Sequence, residues 1–126
     1  MSGYYTNIQE ETVNNQNFRK VLFTGQHAQL VVMSLKPGEE IGMEVHPAVD
    51  QFFRIEQGQA QVTIDGQNHH VKDDDAFIVP AGAQHNIVNS GEVDLKLYTI
   101  YSPPNHPEGT VYITKVEAEA YEKQHH

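Results

Sequence analysis

Apolar and polar positions alternate in short runs through the middle of the chain, from about residue 20 to residue 101. Each run is closed by Gly, Pro, Asn or Asp, which are the residues that favour turns. This rhythm predicts an all-β sandwich or barrel. The predicted strands are Lys20–Phe23, Leu30–Leu35, Ile41–His46, Gln51–Glu56, Ala60–Ile64, His69–Val71, Ala76–Val79, His85–Asn89 and Leu95–Tyr101.

The connectors and the chain ends complete this prediction. Asp65-Gly66 predicts a tight hairpin, because both central residues of a type I′ turn need positive φ. Residues Lys115–Lys123 predict a short C-terminal helix that packs on the barrel through Val116 and Ala120. The prolines of segment 102–107 predict an extended loop, since they lack backbone donors. No repeat or linker divides the chain, so we expect one domain over residues 1–126 with a barrel core at about 20–101.

Two polar residues share one face of the third predicted strand. Side chains alternate along a strand, so Glu44 and His46 project together while their neighbours point the other way. In the next strand, we expect the charged Arg54 to face outward. Gln51 lies on the opposite face of that strand and is therefore expected in the interior. The tight turn at residues 80–82 precedes His85, so we expect a second imidazole in the same region.

These residues and the turns around them follow a recognisable spacing. One group is Gly38, Glu44-Val45-His46, Gln51 and Gly58, and the second is Asp74, Pro80-Ala81-Gly82, His85 and Asn89. The two groups resemble the two motifs of the cupin superfamily, and the chain is similar to small single-domain bacterial cupins. The resemblance implies a double-stranded β-helix, the cupin jelly-roll barrel. It also implies one divalent metal ion, held by Glu44, His46, Gln51 and His85.

The chain departs from the cupin motifs at three positions. Glu44 stands where the family has its first His, Gln51 replaces the usual Glu, and Asp74 replaces the first Gly of the second motif. The ligand set becomes two imidazoles, one carboxylate and one amide, which suits Fe, Mn, Ni or Zn without deciding among them. Gln51 is the weakest of the four ligands and binds either directly or through water. A metal-free polar pocket is the alternative outcome of these changes.

Several other residues are candidates for the pocket lining, for metal binding or for the protein surface. Five apolar or aromatic residues are expected either to line an apolar pocket around the metal or to belong to the hydrophobic core. They are Phe53, Ile55, Met33, Leu97 and Tyr101. His69 and His70 alternate faces and cannot chelate one ion together. The residues expected at the surface are Arg54, Lys96 and the acidic turn Asp73-Asp74-Asp75. His106, in its Pro-rich loop, is expected at the surface or, alternatively, at the mouth of the barrel. His125 and His126 end the chain, as native residues or as the remainder of a tag.

Composition excludes some classes of partner. The formal net charge is −9, from 17 acidic and 8 basic side chains, which disfavours nucleic acid and anionic membranes as partners. No apolar run approaches the length of about 18 residues that a membrane helix needs. The chain has no cysteine and its first twelve residues do not resemble a secretory signal, so we expect a cytoplasmic protein.

Three functions fit these observations. The first is a metal-dependent enzyme that acts on a small organic substrate as an isomerase, cyclase, lyase or dioxygenase. The second is a cupin that binds or senses a small molecule without turnover, and the third is a metal-free structural dimer. Sugar-phosphate chemistry lacks support, because no Lys or Arg cluster lies near the motifs. We also expect a homodimer, since the segment Lys20–Leu35 carries more apolar residues than a free edge should expose.

Overall fold

The computed structural model describes residues 2–124 of the chain. Its elements, in chain order, are α1 (Ile8–Asn14), β1 (Arg19–Thr24), β2 (Gln29–Leu35), β3 (Glu44–Val45), β4 (Asp50–Gln57), β5 (Gln59–Ile64), β6 (Gln67–Lys72), β7 (Ala76–Val79), β8 (Gln84–Asn89), β9 (Leu95–Ser102), β10 (Val111–Tyr112) and α2 (Lys115–Gln124). The terminal histidines His125 and His126 lie outside the described residues. Among the described residues, no helix is long and apolar enough to cross a membrane.

The strands form two antiparallel sheets. One has six strands in the order β10-β1-β2-β9-β4-β7, and the other has four strands in the order β3-β8-β5-β6. Strands distant in the sequence are neighbours in space, as where β9 lies between β2 and β4. This arrangement is a jelly roll. The predicted all-β jelly-roll barrel with a short C-terminal helix is confirmed.

The barrel interior is filled by every second residue of its strands. In β4, Gln51, Phe53 and Ile55 are buried, whereas the residues between them are partly exposed. This matches the predicted inward face of that strand. The fully buried apolar side chains nearest the barrel centre include Val31, Met33, Leu35, Phe53, Ile55, Val62, Ile87, Leu95 and Leu97.

The predicted hairpin forms between β5 and β6. Asp65 and Gly66 adopt φ values of 46° and 82°, and the strands pair from Ile64 with Gln67 outwards. Asp74, which replaces a motif glycine, also has a positive φ of 72°. That position demands a left-handed backbone, which Asp tolerates better than most residues do.

Two elements of the structure differ from the prediction, a shortened strand and an additional helix. The strand predicted over Ile41–His46 is reduced to β3, because the backbone passes through a φ of 100° at Gly42 and the regular pairing lapses there. Helix α1 was not predicted, since its polar sequence has no apolar period. It packs on the outer face of the larger sheet through the fully buried Thr12, whose hydroxyl donates to the carbonyl of Ile8.

Helix α2 occupies the predicted position but packs on a different face. Val116 is 76 % exposed, and Ala120 is exposed as well, so the predicted contact through these two residues is wrong. Ala118 is buried instead, and the ring of Tyr121 lies 5.7 Å from that of Tyr112 in β10. Side chains at i and i+3 share a helix face, so the face that packs was set by the barrel rather than by Val116.

Lys96 was predicted at the surface and is buried. Its ammonium group donates to the carbonyl of Asn15 at 2.6 Å and to Oγ of Ser34 at 3.0 Å. It therefore joins the end of α1 to the larger sheet. Arg54 keeps its predicted partly exposed position, where it pairs with Asp74 at 3.0 Å.

We predict that Lys96→Ala lowers the free energy of unfolding by about 1–3 kcal/mol, because it leaves a buried carbonyl without its donor. Urea denaturation followed by circular dichroism measures the change. Lys72→Ala is the matched control, since Lys72 is exposed on β6, and it should stay within about 0.5 kcal/mol of wild type. Equal midpoints for the two variants would contradict the structural role of Lys96.

Candidate functional site

Pairing between two short strands brings an acid and a base together at one end of the barrel. Glu44 in β3 is the register partner of His85 in β8, and paired residues point to the same side of a sheet. His46 follows β3 directly, and its Nε2 lies 3.2 Å from Oε2 of Glu44. The two imidazole rings are 5.5 Å apart between centroids. The structure thus brings Glu44, His46 and His85 to one place.

The turn before β8 fixes the position of His46 relative to His85. The amide of Gly82 donates to the carbonyl of His46 at 3.0 Å, and Ala83 closes the turn by donating to Pro80 at 3.1 Å. Gly82 has a φ of 86°, a conformation that favours glycine. Nδ1 of His85 contacts the carbonyl of Ala83 at 3.4 Å, which leaves its Nε2 for another partner.

Gln51 approaches this region from the larger sheet, since its register partner is Tyr101, whose ring lies 6.0 Å from that of His46. Its side chain is buried, and its amide nitrogen donates to Oγ1 of Thr99 at 3.0 Å. Its Oε1 is buried with no hydrogen-bond partner among the described residues. A buried acceptor without a partner costs about 1–3 kcal/mol. The hydrogen bond to Thr99 therefore orients the amide, and its oxygen is left unpaired among the described residues.

The charges around the site favour an anionic Glu44 and a neutral His85. Burial disfavours the ionised carboxyl of Glu44, yet the hydrogen bond with His46 and the charge of Arg19 outweigh it, so the pKa of Glu44 is lowered. Burial lowers the pKa of His85, although its contact with Ala83 and the charge of Glu44 oppose the shift. At neutral pH the pair thus presents a carboxylate and an unprotonated ring nitrogen.

Tyr101 and His106 form a second polar contact beside the first. Nε2 of His106 lies 3.1 Å from the hydroxyl of Tyr101, and the ring of Tyr101 meets that of His46 edge-on at 6.0 Å. Burial lowers the pKa of His106 to about 3 and raises the pKa of Tyr101 to about 12. Both groups are therefore neutral at pH 7. His106 is half-buried and lines the cavity, which matches the expected alternative at the barrel mouth rather than the surface position.

A cavity of about 650 Å³ opens at this end of the barrel. The lining comes from three parts of the chain, namely β3 with its flanks (Met43, Glu44, Val45, His46), the Pro-rich loop (Asn105, His106, Pro107) and the C-terminal elements (Tyr112, Tyr121, Glu122). The residues predicted to line a pocket lie in the packed core and not among these lining residues. They are Phe53, Ile55, Met33, Leu97 and Tyr101.

Sequence reasoning missed Arg19, which lies inside the barrel. It is 2 % exposed, although the predicted first strand began one residue later. Its register partners are Met33 in β2 and Tyr112 in β10. Arg19 lies two positions before the buried Val21, and that spacing was a signal for an inward-facing side chain. The sequence pattern around Glu122 and the other C-terminal residues of the cavity contains no comparable signal.

The remaining candidate ligands stay apart from the site. His69 and His70 are exposed on β6, and Asp73, Asp74 and Asp75 hydrogen-bond locally around their turn. Across residues 2–124, no three His, Cys, Asp or Glu side chains are grouped so that they could hold a metal ion as they stand. Glu44 and His46 form an ion-pair contact with each other, and the fourth candidate ligand, Gln51, is an amide rather than an acid.

Comparison with known proteins decides the family. A family model described as a cupin domain matches residues 31–101, more than half of the chain. The chain belongs to the cupin family. Within this cupin the matched region runs from β2 to β9 and includes all four candidate ligands.

Similar proteins extend over nearly the whole chain. The uncharacterized protein YrkC of Bacillus subtilis (strain 168) is 50 % identical over 125 residues, covering 94 % of this cupin and 67 % of its own length. The uncharacterized protein L612 of Acanthamoeba polyphaga mimivirus is 44 % identical, covering 91 % and 74 %. The crystal structure of BH2720 from Bacillus halodurans matches with a TM-score of 0.93 and 45 % identity, over 94 % of this chain and 95 % of that one.

We predict that Gly82→Ala and Gly66→Ala both lower the free energy of unfolding by about 1 kcal/mol. Both glycines have positive φ, and an added Cβ would meet no atom within 4 Å at either. Only the first variant should shift the NMR resonances of the His46 and His85 rings, since only Gly82 bonds to His46. Identical ring resonances in both variants would show that the turn does not position the site.

Proposed function

We propose that this chain is a single-domain, metal-binding cupin that acts as a metal-dependent enzyme on a small organic substrate. Glu44, His46, Gln51 and His85 would hold one divalent ion, with Fe, Mn, Ni and Zn all compatible with the ligand set. The reaction classes that fit are isomerisation, cyclisation, lyase chemistry and dioxygenation. The proposal goes beyond cupin membership, which by itself does not specify an activity.

The observation that carries the proposal is the unsatisfied oxygen of Gln51 beside two imidazoles and a carboxylate. Its Oε1 has no partner within the described chain, and Glu44 and His46 are already within 3.2 Å of each other. Oxygen and imidazole ligands of this kind suit first-row divalent metals. A metal ion would satisfy the buried oxygen and would take over the contact between Glu44 and His46.

The chain's own side chains would then bind and orient the substrate. A bound divalent metal supplies Lewis-acid polarisation of a substrate oxygen, and iron adds reactivity towards dioxygen. Tyr101 keeps its proton, because burial raises its pKa to about 12, and its hydroxyl is held by His106. Glu44 keeps its negative charge, since its pKa is lowered, and can also accept a proton.

The second candidate is a cupin that binds or senses a small molecule without turnover. The contact between Glu44 and His46 favours it, because these two groups satisfy each other at 3.2 Å. The cavity would then serve as a polar receptor pocket. Metal content and turnover distinguish this candidate from the enzyme.

We also propose a homodimer, for a reason other than a free edge. The segment Lys20–Leu35 lies within the larger sheet, with β10 and β9 paired to its two strands. On the outer face of that sheet, four strands align a row of apolar side chains in register, namely Leu30, Ile100, Phe52 and Ile78. Ile78 is 62 % exposed, and an apolar patch of this kind marks an interaction surface.

We predict that a chain ending at Gln124, without the terminal histidines, binds about one divalent ion and that Glu44→Ala and His85→Ala each abolish this binding. Loss of a side chain that only supports a ligand typically costs about 10–100-fold in metal affinity, and loss of a direct ligand should cost at least as much. Calorimetric titration with Mn, Fe, Ni and Zn salts measures the affinity. His69→Ala is the matched control, because His69 is exposed on β6, and it should bind as wild type does.

The outcomes separate the candidates. If no ion binds to the wild type, the metal-dependent function is refuted and a metal-free pocket is left. If an ion binds, assays of oxygen uptake and isomerisation over a panel of small acids and sugars distinguish the enzyme from the binding protein. Activity that persists in His85→Ala would refute metal-dependent catalysis at this site.

We predict that the wild type sediments at twice the 14.2 kDa mass of one chain and that Ile78→Lys sediments at the mass of one chain. The substitution places a charge at the exposed end of the apolar row, on the edge strand β7, and this charge would have to be desolvated at an interface. Val93→Lys is the control, since Val93 is 54 % exposed outside the row. A wild type that sediments as a single chain at micromolar concentration would contradict the dimer.

A further inference from the structure

We propose that Arg19 is the anion-binding residue of the cavity, and that the molecule this cupin takes carries a carboxylate. Glu122 of α2 would be an internal counter-ion that the incoming carboxylate displaces. The inference rests on the proposed function, because it names the substrate class of the same site. It also gives the C-terminal helix a role in admitting the ligand.

Arg19 is a buried cation that donates a hydrogen bond to the hydroxyl of Tyr101 but does not use all of its donors. Its side chain is 3 % exposed, and its Nε is buried with no hydrogen-bond partner among the described residues. Nη1 lies 3.7 Å from Oε1 of Glu122, which is an ion pair but is too long for a hydrogen bond. A guanidinium has five N–H donors in a planar fork, and leaving one buried and unpaired is costly. A ligand carboxylate would satisfy this fork.

The positive charge of Arg19 acts on the cavity directly. It lowers the pKa of Glu44 and of His106, both of which line the cavity. Its register partner Tyr112 and its ion-pair partner Glu122 line the cavity as well. Arg19 therefore lies directly behind the part of the cavity wall formed by Tyr112 and Glu122, and it becomes accessible to a ligand when Glu122 moves aside.

Glu122 is a weak partner that a ligand can replace. Its side chain is 41 % exposed, so it can rotate away from Arg19 into solvent. It lies in the last turns of α2, where the helix dipole disfavours negative charge. A carboxylate that reaches both Nε and an Nη atom would form a bidentate pair, which is stronger than a single long contact.

The composition of the wall favours a carboxylate over a phosphate. The described cavity lining contains no lysine and no arginine, and it contains two acids, Glu44 and Glu122. One guanidinium can neutralise one carboxylate charge, whereas a phosphate group carries more charge and is usually bound by several cations. A small monocarboxylate therefore matches the site in both charge and shape.

The test uses benzoate and benzamide, which have similar shape and differ in charge. Protein labelled with ¹⁵N is stripped of metal on a chelating resin and titrated with each probe, and the Nε–Hε resonance of Arg19 is followed together with the amides of Tyr112 and His106. We expect benzoate to shift these resonances and to bind about tenfold or more tightly than benzamide, because only benzoate makes a charge-assisted pair.

Variants identify the residues responsible. Glu122→Gln should tighten benzoate binding about two- to fivefold, the size expected when a partly exposed competing ion pair is removed, and should leave benzamide unchanged. Glu119→Gln is the matched control, because Glu119 is an exposed acid on the same helix that pairs with Lys115. Arg19→Met should abolish the preference for benzoate, whereas Arg19→Lys should keep part of it.

Each result supports or overturns the inference. Equal affinities for benzoate and benzamide, or weaker benzoate binding in Glu122→Gln, would overturn it, and Glu122→Gln gives this answer even if Arg19→Met fails to fold. Because the protein is stripped of metal, failure of metal binding would refute the proposed function and leave this preference intact. A benzoate preference that appears only after metal is added would overturn the role of Arg19 and support the metal site alone.

Discussion

The alternation of side chains along antiparallel strands is the constraint on which the rest of this molecule depends. Two sheets packed face to face enclose every second residue, where an apolar side chain is stabilised and a polar one needs a partner. Along β4 the inward positions pass from Ile55 and Phe53 to Gln51. The same strand thus contributes to the core at one end and to a polar site at the other.

Groups of opposite charge compensate one another at this polar end. Glu44 lies against His46 and within the field of Arg19, which together hold it in its ionised form. Within residues 2–124, the partly exposed Glu122 is the ion-pair partner of Arg19. Burial meanwhile keeps His85 unprotonated at neutral pH. The end of the barrel therefore presents an anion, a cation and neutral ring nitrogens close together, a setting that can both bind and orient a small polar molecule.

Much of the site could be read from local spacing, and part of it could not. Glu44 and His46 are two residues apart on one strand, and the Pro-Ala-Gly sequence before His85 predicts a tight turn. The approach of Glu44, His46 and His85 to one another could therefore be predicted. His106 and Glu122 reach the cavity from a loop and a helix whose paths depend on the assembled barrel. Lys96 looked like a surface residue because its partners, Asn15 and Ser34, are more than sixty positions away in the chain.

The sequence by itself determined the all-β class, most of the strands, the hairpin at Asp65-Gly66 and the set of candidate ligands. It did so because strand period and turn chemistry are local properties, set by neighbouring residues. Tertiary structure decided that Ala118 and Tyr121 rather than Val116 would face the barrel, and that Arg19 would be buried behind the cavity wall. Those outcomes depend on which distant surfaces meet, because burial is a property of the assembled sheets and not of any single segment.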